Sequence, residues 1–407
     1  MTTINDLARP LVTLDPDAAA GADLDLVREV VGDARVVCIG ESAHCGSEFY
    51  RLKDRVTRML VQNLGFTAFV LESGFAEGLA VNEWIHGGPG ELEDVARDGI
   101  TYRFGECPEM HAQLSWMRDW NRSTPQTVQF YGMDWPGACV SPGAAVRACL
   151  ARLEPRPGDA ELVELTELGS RAVAQIRGRN LSPDARAELR NRLAGLVSRA
   201  TESGDEIAIR CASPLPELVE RMAPADPGAT ASGARDLFMA DTVRWLLERE
   251  QRIIVSAHNA HIHRSAMPTG AAAFGKVLGA ELGSDLVVIG TTQGSGETFS
   301  FTPRGEEIFD SEVSLVPFEA PPNSLDAVMR VPGVPLHLTD LRQVPAELLA
   351  DATGSMVFDQ VWPVEDLPHA FDAVVHFEGV NIIHSSYEQF RDDMAETSRL
   401  AAAAPVT

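Results

Sequence analysis

RVVCIGESAHCGSEFYRLKDRVTRMLVQNLGFTAFVLE, residues Arg35–Glu72, holds two short apolar runs separated by a segment of helical period. Arg35–Gly40 and Thr67–Glu72 are rich in β-branched and apolar residues and free of internal charge, the pattern of strands covered on both faces. Between them Phe49, Leu52, Val56, Met59, Leu60 and Leu64 recur at helical spacing, and Gly65 follows as a C-cap. A strand, a helix and a strand in that order form a βαβ unit, which implies a parallel sheet.

The same kind of run recurs at Val128–Asp134, Ile253–Ala257, Leu286–Thr291 and Ala373–Phe377. From Ser141 to Glu250 the character changes, and the chain reads as helical almost throughout, for example over Asp159–Arg177, Pro183–Ser203 and Arg235–Arg252. The expected fold is α/β: a mostly parallel central sheet flanked by helices, with a large helical insertion forming a cap or second subdomain. Residues 1–140 and 251–407 are then the two parts of the α/β core, and 141–250 the insertion. Gly333–Asp366 contains several prolines and is expected to be loop-like, and the last dozen residues are expected to fray.

The 407 residues are 45% apolar, enough for a packed core, and carry a formal net charge of -25. That excess of acid opposes binding to nucleic acid or to an anionic membrane surface, both of which call for a basic patch. No apolar run reaches the ~18 residues of a membrane span. The opening MTTINDLARPLVTLDPD lacks the basic and apolar regions of a secretory signal, so a cytoplasmic location is expected. The six cysteines are sparse and form no CxxC pair, as expected of reduced, buried thiols. The expected partner is a small molecule, and the expected state a monomer or small homo-oligomer.

Chemistry-bearing residues gather at the strand ends. Glu41 and His44 follow the first strand, Glu72 ends the second, Asp134 and Trp135 end the third, and His258, Asn259 and His261 follow the fourth. In open parallel sheets, ligands sit outside the carboxyl ends of the strands. No G-x-S-x-G elbow, phosphate loop or dinucleotide fingerprint is present. Two chemistries remain open. In one, His44 takes a proton from water, Glu41 or Glu72 orients the ring, and Lys53, Arg55 or a second imidazole stabilises the oxyanion. In the other, His258, His261 and His263 ligate zinc, with Glu41 or His44 completing the shell.

At these residues the chain resembles the erythromycin esterase family. The matching pieces are GESAH at Gly40–His44, EFYRLKDR at Glu48–Arg55, FVLE ending at Glu72, NEWI at Asn82–Ile85, YGMDWP at Tyr131–Pro136, RDLFMA at Arg235–Ala240, SAHNAHI at Ser256–Ile262 and AFDAVV at Ala370–Val375. The resemblance implies a hydrolase that opens a macrolactone or related polyketide-like ester by activated water, with no metal and no cofactor. It implies His44 as general base, Glu41 and Glu72 as the carboxylates that hold or polarise it, and His258 as a further catalytic imidazole. Lys53, Arg55, Asp134, Trp135, Arg235 and His261 are the expected substrate-binding residues. Lys53 stands where the family usually carries arginine, and Trp135 where a smaller aliphatic residue is usual, so the substrate walls are expected to differ. A tailoring enzyme that uses the same base for cyclisation, elimination or isomerisation is the alternative, followed by a non-catalytic binding protein.

Overall fold

The computed structural model describes residues 3–18, 21–222, 233–266, 270–303 and 311–403. Its strands are β1 (Arg9–Pro10), β2 (Val36–Ile39), β3 (Ala68–Gly74), β4 (Gln129–Asp134), β5 (Ile253–Ser256), β6 (Leu286–Pro303), β7 (Ser311–Glu319), β8 (Leu336–Asp340), β9 (Gly354–Val357), β10 (Gln360–Pro363) and β11 (Ala373–Val380). The main sheet runs β1-β8-β11-β6-β2-β5-β3-β4, with β7 paired to β6. The pairs from β11 across to β4 are parallel, while β1–β8, β8–β11 and β6–β7 are antiparallel. This is the expected α/β architecture, a mostly parallel sheet flanked by helices.

The period of two explains why the central strands read as continuous apolar runs. Val37, Ile39, Phe69, Leu71 and Ile254 face one hydrophobic core, while Val36, Cys38, Ala68, Val70, Ile253 and Val255 face another. Both faces are dry, so neither carries polar residues. The helix expected after the first strand spans Ser47–Leu64, and Gly65 closes it at φ 69° with its N–H on the Leu60 carbonyl. Between β4 and β5 the described elements are all helices, around a third core that includes Phe75, Trp135, Leu193 and Leu218. The helix expected over Asp159–Arg177 is two, Asp159–Thr166 and Arg171–Arg179, parted at Gly169 with φ 94°. Among the described residues, no helix is long and apolar enough to cross a membrane.

Three expectations need correction. Gly333–Asp366 is not loop-like: it holds β8 and the β9–β10 hairpin, whose strands lie between prolines or end on one. The fifth strand does not end at Thr291 but continues as β6 to Pro303 and pairs antiparallel with β7. Of the last dozen residues, 396–403 continue the helix His384–Ala403 with Thr397 buried, so packing holds that part where fraying was expected, while 404–407 lie outside the described residues.

Candidate active site

The turn after β2 sets the centre. Gly40 lies so close to Asn259 that an added Cβ would fall 2.0 Å from its Oδ1. Asn259 donates from Nδ2 to the Thr291 carbonyl at 2.7 Å and accepts from the Thr291 N–H at 3.2 Å, while its own N–H reaches the Glu41 carbonyl at 2.8 Å. One residue, by side chain and backbone together, thus ties the ends of β2, β5 and β6 and fixes the backbone that carries Glu41 and His44.

Glu41 is buried between Lys53 and His44. Lys53 Nζ donates to its Oε2 at 2.6 Å, and His44 Nδ1 lies 2.5 Å from its Oε1. Burial pushes the carboxyl up, but Lys53 and His44 more than reverse this and bring it down to about 2. An ionised carboxylate only accepts, so His44 carries its proton on Nδ1. In the neutral form of the ring the lone pair is then on Nε2. His44 is the part-exposed member of the group, its side chain 23% accessible.

His258 has the opposite polarity. It caps the short helix Asn259–Ile262, its Nδ1 accepting from the Ala260 N–H at 3.1 Å. Its proton is consequently on Nε2, which is buried without a partner among the described residues. Burial, aided by the neighbouring His44 ring, lowers its pKa to about 3, so it stays neutral and a donor. The two imidazoles meet edge-on at 4.9 Å between centroids.

Behind them lies a buried ionic layer. Glu72 accepts the His258 backbone N–H at 2.8 Å and Arg235 Nη2 at 2.9 Å. His261 sits between Asp236 at 2.9 Å and Glu72 at 3.2 Å. Burial alone would lower its pKa, but the two carboxylates raise it to about 10, so it is an imidazolium that donates from both nitrogens. Arg235 Nη1, 3.2 Å from His261 Nε2, is then a neighbour and not a hydrogen-bond partner. Burial also works against the charge on Glu72, yet His261, Arg235 and His44 hold it well below the usual carboxylate range. Arg235 grips Asp134 from Nε and Nη2, and Tyr102 Oη reaches Asp134 at 3.1 Å.

The structure therefore brings Glu41, His44, Lys53, Glu72, Asp134, Arg235, His258 and His261 into one connected group. Two expected members stand apart. Arg55 turns away to Asp23 and the Thr13 carbonyl, each at 2.8 Å. Trp135 is not available to a substrate: it is 2% exposed, in the core of the helical layer, with Arg221 over its ring at 5.2 Å. Trp135→Leu is expected to cost about 1–3 kcal/mol, the usual range for a core change, and to leave substrate preference unaltered. Thermal melting together with kcat/KM on a large and a small ester checks this.

His263 is buried against Phe371, and its Nδ1 accepts from the Ser265 N–H. The nitrogens of His258, His261 and His263 are thus turned to different partners, and among the described residues no cluster of metal-ligand type forms. Cys45, beside His44, is buried and its thiol is pushed up far from thiolate formation, so it offers no nucleophile. Sequence reasoning did not single out Asp236, Tyr102, Phe104 or Phe358. The last two pack on His44 at 4.9 and 5.5 Å between ring centroids. Asp236 had a signal, since it follows Arg235 within RDLFMA.

The sequence model of the erythromycin esterase family matches residues 61–380. The chain is 26% identical over 405 residues to erythromycin esterase type II of Escherichia coli, covering 90% of this chain and 94% of that protein. It is 28% identical over 158 residues to erythromycin esterase type I of Escherichia coli, covering 38% of this chain and 34% of that one. Among solved structures it is similar to a succinoglycan biosynthesis protein, with a TM-score of 0.73 at 21% identity over 93% of this chain and 96% of the other. It is also similar to an erythromycin esterase mutant, EreC, in its open conformation, with a TM-score of 0.71 at 20% identity over 94% and 98%. At these identities the structural likeness shows a shared fold.

Proposed function

We propose that this chain, which belongs to the erythromycin esterase family, hydrolyses a macrolactone or related natural-product ester with water activated by His44. The observation that carries the reading is the pair of opposed imidazoles. His44 has a free acceptor nitrogen backed by Glu41, and His258 has a free donor nitrogen 4.9 Å away between ring centroids. Water attacks the carbonyl carbon and passes a proton to His44 Nε2, while Glu41 supports the imidazolium that forms. The carbonyl oxygen becomes an oxyanion and accepts from His258 Nε2–H. Collapse breaks the bond to the alcohol oxygen, which takes the proton back from His44. A lactone leaves as a single hydroxy acid.

In this reading Lys53, Arg235 and Asp134 position the catalytic groups and do not bind substrate directly. Glu72 and His261 hold the loop that carries His258. The helices of residues 141–250 serve as a cap. Mass spectrometry of a macrolactone panel tests the proposal: the product gains about 18 Da, one water, and in heavy-oxygen water the label enters the acid. A product of unchanged mass would replace hydrolysis by isomerisation or cyclisation.

The donor set is complete without a metal, so dialysis against a chelator is expected to leave the rate unchanged. Stoichiometric zinc, lost together with activity and restoring it on return, would move His258, His261 and His263 to a ligand shell.

A further inference from the structure

A circuit of ring contacts surrounds His44 and returns to it. His44 packs on Phe104 at 4.9 Å, and Phe104 on Tyr102 at 5.5 Å. The Arg171 guanidinium lies 5.6 Å above Tyr102 and 5.6 Å above Phe390. Phe390 meets Phe301 at 6.0 Å, Phe301 meets Phe358 at 5.1 Å, and Phe358 returns to His44 at 5.5 Å. Every member except Phe104 keeps part of its surface exposed, so the circuit is a rim and not closed core.

Among the described residues the cations of this region are paired, with one exception. Lys53 is held by Glu41, Arg235 by Asp134 and Glu72, and Arg103 by Asp393 at 2.7 and 2.8 Å. Arg171 has ring faces below it but no carboxylate or carbonyl partner among the described residues. Its five N–H donors are left over in a chain with 59 acidic residues against 34 basic ones. The two rings hold the planar fork in place, and a guanidinium so held matches a carboxylate bidentately.

We propose that Arg171 is a substrate-recognition residue for an anionic group, so that the site takes esters with an apolar body and a carboxylate away from the scissile bond. The aromatic members receive the apolar body, and an amine at the same position is repelled. This rests on the ester-hydrolase reading and narrows its substrate class.

Binding tests it apart from turnover. In the full-length His44→Ala protein, calorimetry compares 4-nitrophenyl valerate with mono-4-nitrophenyl glutarate, matched in acyl length and differing by the terminal carboxylate. The glutarate is expected to bind about tenfold tighter or better, the value of one charge-assisted contact. Adding Arg171→Gln removes the preference and leaves valerate affinity within about twofold, while Arg171→Lys keeps part of the preference through its point charge. Equal affinities in the parent, a preference that survives Arg171→Gln, or no binding of either ester overturns the assignment. The ester-hydrolase reading stands or falls separately, on the mass gain of the macrolactone panel.

Discussion

His44→Ala is expected to lower kcat by about 10²–10⁴-fold, the usual loss when a general base is removed, with the fold intact. The prediction follows from the orientation of one ring. Lys53 and His44 bring the Glu41 pKa down to about 2, and the ionised carboxylate then fixes the His44 proton on Nδ1. The remaining lone pair on Nε2 belongs to the most accessible group of the cluster. The imidazolium that forms on proton transfer is met by a charge already in place, so no reorganisation is required at that moment. Stability is spared because the ring lies on Phe104 and Phe358 at the surface of the core, and a part-exposed truncation costs little. Steady-state kinetics on the purified variant, beside a melting curve, checks both halves. A near-wild-type rate overturns the mechanism.

The strands were legible because both faces of the central sheet are buried. Val36 to Ile39 and Ile253 to Val255 alternate between two dry cores, so every position is apolar and the run stands out. The parts that escaped detection follow other rules. β7 mixes buried and exposed residues and carries Pro317, and it rests on an extension of β6 that has no apolar run of its own. The β9–β10 hairpin turns on Phe358 and Asp359, with Phe358 at φ 56°. Two-residue turns normally announce themselves as Asn-Gly or Asp-Gly, and a phenylalanine with positive φ gives no such warning. Its backbone N–H on the Ser42 carbonyl at 3.3 Å ties that tip to the catalytic turn, a long-range contact without a local signature.

The site was half legible for a similar reason. Glu41 and His44 are three residues apart in one turn, and their contact could be read locally. Lys53 and Arg55 lie two residues apart on the helix Ser47–Leu64 and so point to nearly opposite sides. Only one of them could meet Glu41, and the structure chooses Lys53, with Arg55 spent on Asp23. The role of His261 was the least accessible to sequence. Its neighbours Glu72 and Asp236 come from distant segments, and together they turn an expected substrate ligand into a buried imidazolium with both donors occupied. That leaves His258 as the imidazole with a donor to spare.

His258→Asn isolates that donor. His258 does two jobs: Nδ1 caps the helix Asn259–Ile262 through the Ala260 N–H, and Nε2–H is free. Alanine would remove both, mixing a cap loss of about 1 kcal/mol with any catalytic effect. Asparagine is among the preferred capping residues and can accept from the Ala260 N–H, but its amide ends short of the place where Nε2 lies. The Asn variant is therefore expected to melt like the parent and to lose about 10²–10³-fold in kcat, the loss typical of one oxyanion donor, with KM little changed. The split matters because a ground-state carbonyl is a weak acceptor and the developing oxyanion a strong one, so the contact strengthens as the reaction proceeds. Burial lowers the His258 pKa to about 3, so it remains a neutral donor above that pH. Its loss should then lower the rate uniformly from weakly acidic to neutral pH, leaving the shape of the pH profile unchanged. A full rate in the Asn variant would make His258 a helix cap alone, and the oxyanion would need another donor.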